Sequence, residues 1–398
     1  MRTIRVKPVA AFGAVVLAGA VLAGCGGGSD GGGSGGDSSK PIDIAYTGPL
    51  TGDAGQWGQD QLAGLQLLVD QINEAGGIES GPNKGRELKL SSYDDAGDPN
   101  QGASIAQKLC DNESLLAVFG PVNSSVALAA SPIYNRCGLP MITSYASNPE
   151  VTKKGYDNIF RTIPNDIQLA EADVAIASQI GGAKTIAVAW QNDAYGQGLW
   201  DGVQQAAAKY DIEIVKDASF TPDATKDFSS ILDSLEQSKP DALLFMTNYS
   251  PAALLTQQAR QLGSDAMIIC PLATAVPPYL ELAGASADGM MTPTLFDPSS
   301  KNPEVVQFIS DYKAQFNKDP GESSATVYAS GQLFEYALTE GDATRENVIK
   351  QLDEGKDMKT LFGTISFDDN HDPETLGSLQ VLTVKNGQFV SSEKQLSQ

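Results

Sequence analysis

Short apolar runs alternate with longer helical stripes along the chain. Residues 42–46 read IDIAY, with apolar side chains at alternate positions, as in a short strand. In residues 62–72, leucine, valine and isoleucine then recur at three- and four-residue spacing, which places them on one face of a helix. Gly76 and Gly77 end that helix, because glycine enters the left-handed conformation at little cost. This stretch therefore predicts a strand, a loop and a helix.

The same order recurs through most of the chain. Apolar runs predict further strands at 87–93, 115–119, 139–142, 185–190, 212–216, 242–246 and 267–270. Towards the C-terminus the pattern predicts three helices, near 303–317, 323–340 and 345–353, and a hairpin around Asn386-Gly387. Strands that alternate with helices indicate parallel sheets covered by helices on both faces.

Chain length decides how these elements are divided. A chain of 398 residues is too long for one small core and suits two lobes. The predicted fold class is therefore α/β, with each lobe a mostly parallel sheet flanked by helices. The expected boundaries are 41–163 plus 293–366 for the first lobe and 164–292 plus 367–398 for the second.

The composition excludes several classes of function. The chain carries 27 basic and 49 acidic residues, so the basic footprint of a nucleic-acid binder is missing. Its one histidine, His371, lies in the polar segment DDNHDPE and is expected in a solvated loop. One histidine is too few for a zinc site with several histidines, and nothing else supports a histidine-based catalytic triad. No P-loop or nucleophile-elbow sequence lies between a predicted strand and a predicted helix. We expect no enzyme activity, cofactor or metal site, and interpret Asp94, Asp95 and Asp98 as a capped turn.

The N-terminus indicates a targeting segment. A basic start precedes an apolar run at 9–22, which is too short for a comfortable membrane span and ends in Leu-Ala-Gly-Cys. Residues 1–24 resemble a bacterial lipoprotein signal, which implies lipid on Cys25; an ordinary secretory signal or a short anchor is the alternative. Residues 25–40 form a Gly/Ser-rich tether. We expect a protein lipid-anchored on the extracytoplasmic face of the cytoplasmic membrane.

The other three cysteines have distinct expectations. Cys110 and Cys137 each end a predicted helix, in consecutive strand–helix units of the first lobe. Neighbouring helices could bring them together, and the compartment permits oxidation, so we predict a Cys110–Cys137 disulfide. Cys270, inside an apolar strand, is expected as a buried free thiol.

Hydroxyl-rich loops follow several of the predicted strands. Trp57 lies in the first such loop, Ser124 and Ser125 stand at a helix start, and residues 143–148 read TSYASN. Free backbone N–H groups at a helix start bind carboxylates, although ordinary capping by asparagine or serine is an equal explanation. In open α/β sheets ligands bind beyond the carboxyl ends of the strands, so these loops are candidate walls of a binding site.

Five segments together resemble one family. They read GPLTGDAGQWGQDQLAGLQLLVDQINEAGGI, YDDAGDP, FGPVNSS, LPMITSYASNPEVT and NDAYGQGL, in that order. They resemble the branched-chain amino acid substrate-binding proteins of bacterial ABC importers, of the type I periplasmic-binding-protein fold. The resemblance implies two lobes joined by three crossings that close over a ligand like a hinge. It also implies a monomer that delivers a small amino acid-like or carboxylate ligand to a membrane permease driven by a separate ATPase.

The resemblance also implies which residues contact the ligand. Serine at the helix start would hold a carboxylate, the loop after the fourth strand would hold both ends of an amino acid, and two tyrosines would close from the second lobe. The corresponding residues here are Trp57, Ser124, Ser125, Tyr145, Ala146, Ser147, Tyr195 and Tyr249.

One position departs from the family pattern. Amino-acid binders of the family place a glutamate, which pairs with the ligand's ammonium, where this chain has about Leu272. A buried ammonium without an anion costs several kcal/mol. Asp193 is a candidate substitute, although it lies on a different loop. The alternatives are an aromatic or aliphatic acid or a small amide as ligand, or a ligand-sensing subunit of a membrane receptor.

Overall fold

The computed structural model describes residues 40–52, 54–222, 224–373 and 379–397. The expected signal segment, Cys25 and all but the last residue of the tether lie outside these residues. Within the described ranges, no helix is both long enough and apolar enough to span a bilayer.

Strands and helices alternate as the sequence pattern predicts. The strands are β1 Ile42–Gly48, β2 Leu88–Asp94, β3 Leu115–Phe119, β4 Met141–Thr143, β5 Ile159–Arg161, β6 Thr185–Gln191, β7 Glu213–Phe220, β8 Ala242–Met246, β9 Met267–Ile269, β10 Met291–Thr294, β11 Met358–Thr360, β12 Gly363–Ile365, β13 Gln380–Lys385 and β14 Gln388–Ser391. The helices are α1 Gly55–Glu74, α2 Pro99–Cys110, α3 Ser124–Cys137, α4 Asp166–Ala175, α5 Ala194–Tyr210, α6 Ser229–Glu236, α7 Tyr249–Gln261, α8 Pro277–Ala283, α9 Pro303–Phe316, α10 Glu322–Glu340 and α11 Arg345–Glu354.

Two large sheets organise these elements. The first has the order β2-β1-β3-β4-β5, with every pair parallel. The second has the order β14-β13-β10-β9-β8-β6-β7; its strands from β10 to β7 are parallel, and β13 joins β10 in the opposite direction. β13 and β14 form the predicted antiparallel hairpin. The central strands β3 and β8 are buried throughout, as expected for strands with helices on both faces.

Close backbone approaches fix the helices that border the site. A Cβ atom on Gly64 of α1 would lie only 2.1 Å from the Ser324 carbonyl oxygen of α10. Similarly, a Cβ atom on Gly202 of α5 would lie 2.7 Å from the Ala170 side chain of α4. Both pairs of helices pack this closely because glycine removes the side chain at the crossing.

The cysteines and the aspartate cluster serve the scaffold. Cys110 and Cys137 form a disulfide with an S–S distance of 2.08 Å, which joins the ends of α2 and α3. Cys270 is free and buried. Asp98 caps α2 by accepting from the Gln101 backbone N–H, and Asp94 accepts from the Leu50 N–H.

His371 corrects an expectation. The polar sequence around it predicts a solvated loop, but its side chain is buried. The ring stacks on Phe160 at 4.2 Å, Nδ1 lies 3.1 Å from the Ile159 carbonyl oxygen, and Nε2 lies 3.2 Å from Asp353. The polar residues next to His371 in the sequence wrongly predict exposure, because segments distant in sequence cover this loop in the folded chain.

Candidate functional site

The candidate site lies where the carboxyl ends of β1, β3 and β4 meet the starts of α5 and α7. Seven of the predicted ligand residues are buried there, and Ser125 is half-buried on the first turn of α3. The buried ones are Trp57, Ser124, Tyr145, Ala146, Ser147, Tyr195 and Tyr249. The structure therefore brings together loops that follow strands of both sheets, as the resemblance implies.

Aromatic rings pack together where the segments that follow strands of the first sheet meet the start of α7. Trp57, on the first turn of α1, packs edge-to-face on Tyr145 with ring centroids 4.6 Å apart. Tyr249, the first residue of α7, packs edge-to-face on Trp57 at 6.2 Å. Asn148 adds a polar contact, because its side-chain amide donates to the Ala194 carbonyl oxygen at 2.6 Å. The two sides of the site are therefore in direct contact.

Arg161 holds the loop after β4 from beneath. Its guanidinium is fully buried and donates to the backbone oxygens of Asn148 at 2.7 Å and Ala146 at 3.3 Å. The Asn148 N–H donates to the Ser124 hydroxyl oxygen at 3.2 Å, which joins the loop to the start of α3. Ser147 lies between these fixed points and has no hydrogen-bond partner for its hydroxyl among the described residues. Several hydrogen bonds thus hold the loop in place, with the Ser147 hydroxyl near the Asp166 carboxyl.

Asp166 is the residue that the sequence reasoning missed. Its backbone N–H donates to the Ser147 carbonyl oxygen at 2.9 Å, so the two residues are neighbours. Its carboxyl group is fully buried, and neither oxygen has a hydrogen-bond partner in the described part of the chain. The only available signal was Asn165, which caps α4 itself and so leaves the following aspartate without a capping role.

Burial sets the electrostatics of Asp166. Loss of solvent raises the pKa of its carboxyl from 3.8 to about 8, and the nearby Ser147 hydroxyl and Arg161 charge offset only part of that rise. A Cβ atom at Gly198 of α5 would lie 2.1 Å from Oδ2, so α5 closes one side of the carboxyl. Tyr195 is close enough that burial and the Asp166 charge both raise the pKa of its phenol.

Asp193 has a different role from the one considered in the sequence. Its Oδ1 caps α5 by accepting from the Gly196 N–H at 2.9 Å, and Oδ2 accepts from the Gln191 amide at 2.7 Å. The structure therefore assigns this carboxylate to the helix start.

The departure at Leu272 is visible in the structure. Leu272 is buried in a short turn, Leu272–Thr274, and the Thr274 hydroxyl donates to the Pro271 carbonyl oxygen at 2.7 Å. This turn supplies no carboxylate. Of the carboxyls near Tyr145 and Ser147, Glu322 accepts from Thr294 and from the backbone N–H groups of Leu295 and Phe296, whereas neither oxygen of Asp166 has a partner among the described residues. Asp173, whose carboxyl is also buried without such a partner, lies near Tyr195.

Comparison with known proteins agrees with this geometry. A leucine-, isoleucine-, valine-, threonine- and alanine-binding protein from Pseudomonas aeruginosa is 32% identical over 83% of this chain and 87% of its own length. The Leu/Ile/Val-binding protein homolog 3 of Brucella melitensis is 29% identical over 88% of this chain and 94% of its own. The crystal structure of the branched-chain amino acid transporter substrate binding protein LivJ from Streptococcus pneumoniae, in complex with isoleucine, superimposes with a TM-score of 0.80 at 25% identity, covering 88% of this chain and 97% of that one.

A family match covers most of the chain. Residues 41–388 match the periplasmic binding protein family, which spans both sheets and the candidate site. The two-lobed α/β fold predicted from the sequence is confirmed by these comparisons. The chain therefore belongs to the periplasmic binding protein family.

Proposed function

We propose that this protein is the substrate-binding protein of an ABC importer and that its ligand is an amino acid. The observation that carries the proposal is the fully buried carboxyl of Asp166, which lies beside Ser147 and has no partner at hydrogen-bonding distance in the described part of the chain. A carboxyl group in such a position gains a partner when a ligand ammonium arrives. The relatives bind amino acids according to their names, which supports the same class of ligand.

The two ends of the amino acid would bind different groups. Ser124, Ser125 and Ser147 would hold the α-carboxylate, aided by the free N–H groups at the start of α3. Asp166 would pair with the ammonium, with the Ala146 carbonyl oxygen nearby. This arrangement replaces the glutamate that the Leu272 position lacks, because the ammonium still meets a buried anion.

Closure would bury the ligand between the lobes. We propose lobe boundaries at 41–163 plus 293–366 and at 164–292 plus 367–398, which place the first sheet in one lobe and most of the second sheet in the other. Tyr195 and Tyr249 would then close from the second lobe onto Trp57. The contact between Trp57 and Tyr249 supports this, because the rings come from elements that follow different sheets.

Transport would require partners that this chain does not provide. We propose that the closed form docks on a membrane permease driven by a separate ATPase, outside the cytoplasmic membrane. Lipid on Cys25 after removal of residues 1–24, and a monomeric state, complete the proposal. Because the relatives are binding proteins, we expect bound ligand to be recovered chemically unchanged.

A thermal-shift screen of residues 40–398 tests the proposal. A ligand that binds only the folded state raises the unfolding midpoint. Amino acids should raise it, and their analogues without the amino group should not, because Asp166 would stay unpaired. Shifts with aromatic or aliphatic acids or small amides alone would contradict the proposal and favour the alternative class of ligand. A sensing role instead of import would be indicated by a receptor kinase, and no permease, encoded beside this chain.

A further inference from the structure

Four buried side chains on one side of the site have polar atoms without partners. They are Trp57 Nε1, Gln61 Nε2, Tyr145 Oη and Ser323 Oγ, in residues that are 3%, 0%, 4% and 0% exposed, and none has a partner at hydrogen-bonding distance among the described residues. The Trp57 N–H lies close enough to the Tyr145 phenol to lower its pKa, so these two groups face the same space. Native proteins pair the large majority of buried polar atoms, so a cluster of unpaired ones marks a place where something polar binds. Trp57 and Tyr145 are among the ligand residues predicted from the sequence, whereas Gln61 and Ser323 are not.

These four side chains come from one junction of three elements. Trp57 and Gln61 are one turn apart on α1 and therefore share a face. The loop after β4 adds Tyr145, whose ring lies 4.6 Å from that of Trp57, and the Ser144 hydroxyl contacts Gln61 Oε1 at 3.4 Å. Ser323 belongs to the first turn of α10, which is held against α1 by the close approach at Gly64.

We propose that this junction is the subsite for the ligand's side chain and that it binds a terminal amide. The cargo would then be an amino acid with a carboxamide side chain, and not leucine, isoleucine or valine. This inference rests on the proposed function, in which Asp166 and Ser147 hold the two ends of the amino acid.

The hydrogen-bond donors and acceptors of these four side chains match those of an amide. Trp57 Nε1 and Gln61 Nε2 can only donate, so they require an acceptor such as a carbonyl oxygen. The hydroxyls of Tyr145 and Ser323 can accept from an amide nitrogen. An aliphatic side chain would leave all of these groups unpaired, and sites built for hydrogen bonding reject analogues that lack the matching group by up to about 10⁴-fold.

The neighbouring charges disfavour a side-chain carboxylate in the same place. Glu322 and Asp60 both lie near the Tyr145 phenol and raise its pKa, in addition to the larger effect of burial. Asp60 is paired with Lys318, but Glu322 interacts only with neutral donors. Burial already raises the pKa of Glu322 to about 7, so a second anion beside it would make both negative charges less favourable, whereas a neutral amide would not.

Calorimetric titration with glutamine, asparagine, glutamate, leucine and alanine tests the inference. Glutamine or asparagine should bind at least about 100-fold more tightly than leucine, since several buried polar groups gain partners. Ser323→Ala removes a single hydroxyl, and Trp57→Phe removes the indole N–H together with part of the ring. Each should lower the ratio of amide-ligand affinity to alanine affinity by about tenfold.

Ser131→Ala is the matched control. Ser131, like Ser323, is fully buried with an unpaired hydroxyl, but it lies on α3 among the residues that pack behind the first sheet. Its removal should leave the ratio unchanged, and circular dichroism would confirm that each variant is folded. Gln61→Leu provides a further test if Trp57→Phe does not fold.

The outcomes separate the two proposals. Tight binding of leucine without binding of glutamine or asparagine would overturn the subsite and leave the proposed function in place. A preference for glutamate would overturn the amide assignment in the same way. Absence of binding by any amino acid would overturn the proposed function, and with it this inference.

Discussion

The Arg161 guanidinium lies 2.5 Å from the Asp372 carboxylate. Both side chains are buried, and the two residues are 211 positions apart along the chain. Asp372 also accepts from Thr152 and Asn165, and Arg161 donates to the backbone of the loop that carries Ser147. The C-terminal part of the chain therefore supports the geometry of the site through one ion pair. Hydrogen bonds satisfy most of the remaining polar atoms of the pair, which offsets the cost of burying two charges, although Arg161 Nε has no partner among the described residues.

Asp372→Ala should destabilise the protein by about 3–5 kcal/mol, because it leaves a buried arginine charge without its partner. Urea unfolding followed by circular dichroism would measure the change. Glu393→Ala, which breaks an ion pair between exposed side chains, is the control and should barely move the midpoint. If both substitutions lowered the free energy of unfolding equally, burial would not explain the contribution of the Arg161–Asp372 pair.

Asp166→Asn should stabilise the ligand-free protein at pH 7.5 by on the order of a few kcal/mol. Since the folded pKa is about 8 and the ordinary value is 3.8, the unfolded chain loses this proton at a lower pH than the folded chain does. Asp166 therefore lowers stability as the pH rises from about 4 to 8. Urea unfolding at pH 5 and pH 7.5 should show that the variant loses less free energy of unfolding between the two pH values than the wild type does. Asp265→Asn, at an exposed position, should keep the wild-type loss of stability.

Amino-acid binding should release a proton below pH 8. The ammonium requires the ionised form of Asp166, whereas the free protein holds the proton up to about pH 8. The apparent affinity should therefore fall as the pH drops, by at most about tenfold per pH unit. Calorimetry at pH 7 in two buffers of different ionisation enthalpy would count the released protons. Wild-type protein that binds without release would contradict the ammonium role of Asp166.

Tyr249→Ala should speed ligand dissociation and leave association nearly unchanged. The ring is buried against Trp57 and would form part of the closed state and not of the first docking surface. Stopped-flow fluorescence with an amino acid ligand would separate the two rates. Tyr249→Phe keeps the ring, so its dissociation rate should lie between those of the wild type and Tyr249→Ala. A slower association alone would argue against closure by this residue.

Reduction of the Cys110–Cys137 disulfide should lower stability by roughly 3 kcal/mol, because the bond closes a loop with a sequence separation of 27. Unfolding midpoints with and without reductant would measure the loss. A Cys270→Ala variant should keep the sensitivity to reductant, since that thiol takes no part in the bond.

The scaffold was predictable because its signals are local. The three-residue and four-residue spacing of α1, the buried run of β3 and the turn at Asn386-Gly387 each depend on a few adjacent positions. Trp57, Tyr145 and Ser147 could be placed at the site for a related reason. They follow strands whose carboxyl ends meet at one edge of a parallel sheet.

The sequence by itself determined the α/β order of elements, the residues after each strand and the absence of a carboxylate around Leu272. Only the tertiary structure decided which polar groups were left unpaired. Asp193 and Asp166 both stand at helix starts. The first caps its helix, whereas the carboxyl of the second is buried without a hydrogen-bond partner among the described residues. The polar sequence around His371 concealed its burial, and Arg161 meets Asp372 across 211 residues. Spacing along a chain encodes periodicity and capping, whereas burial and partnership depend on segments that become neighbours only when the chain folds.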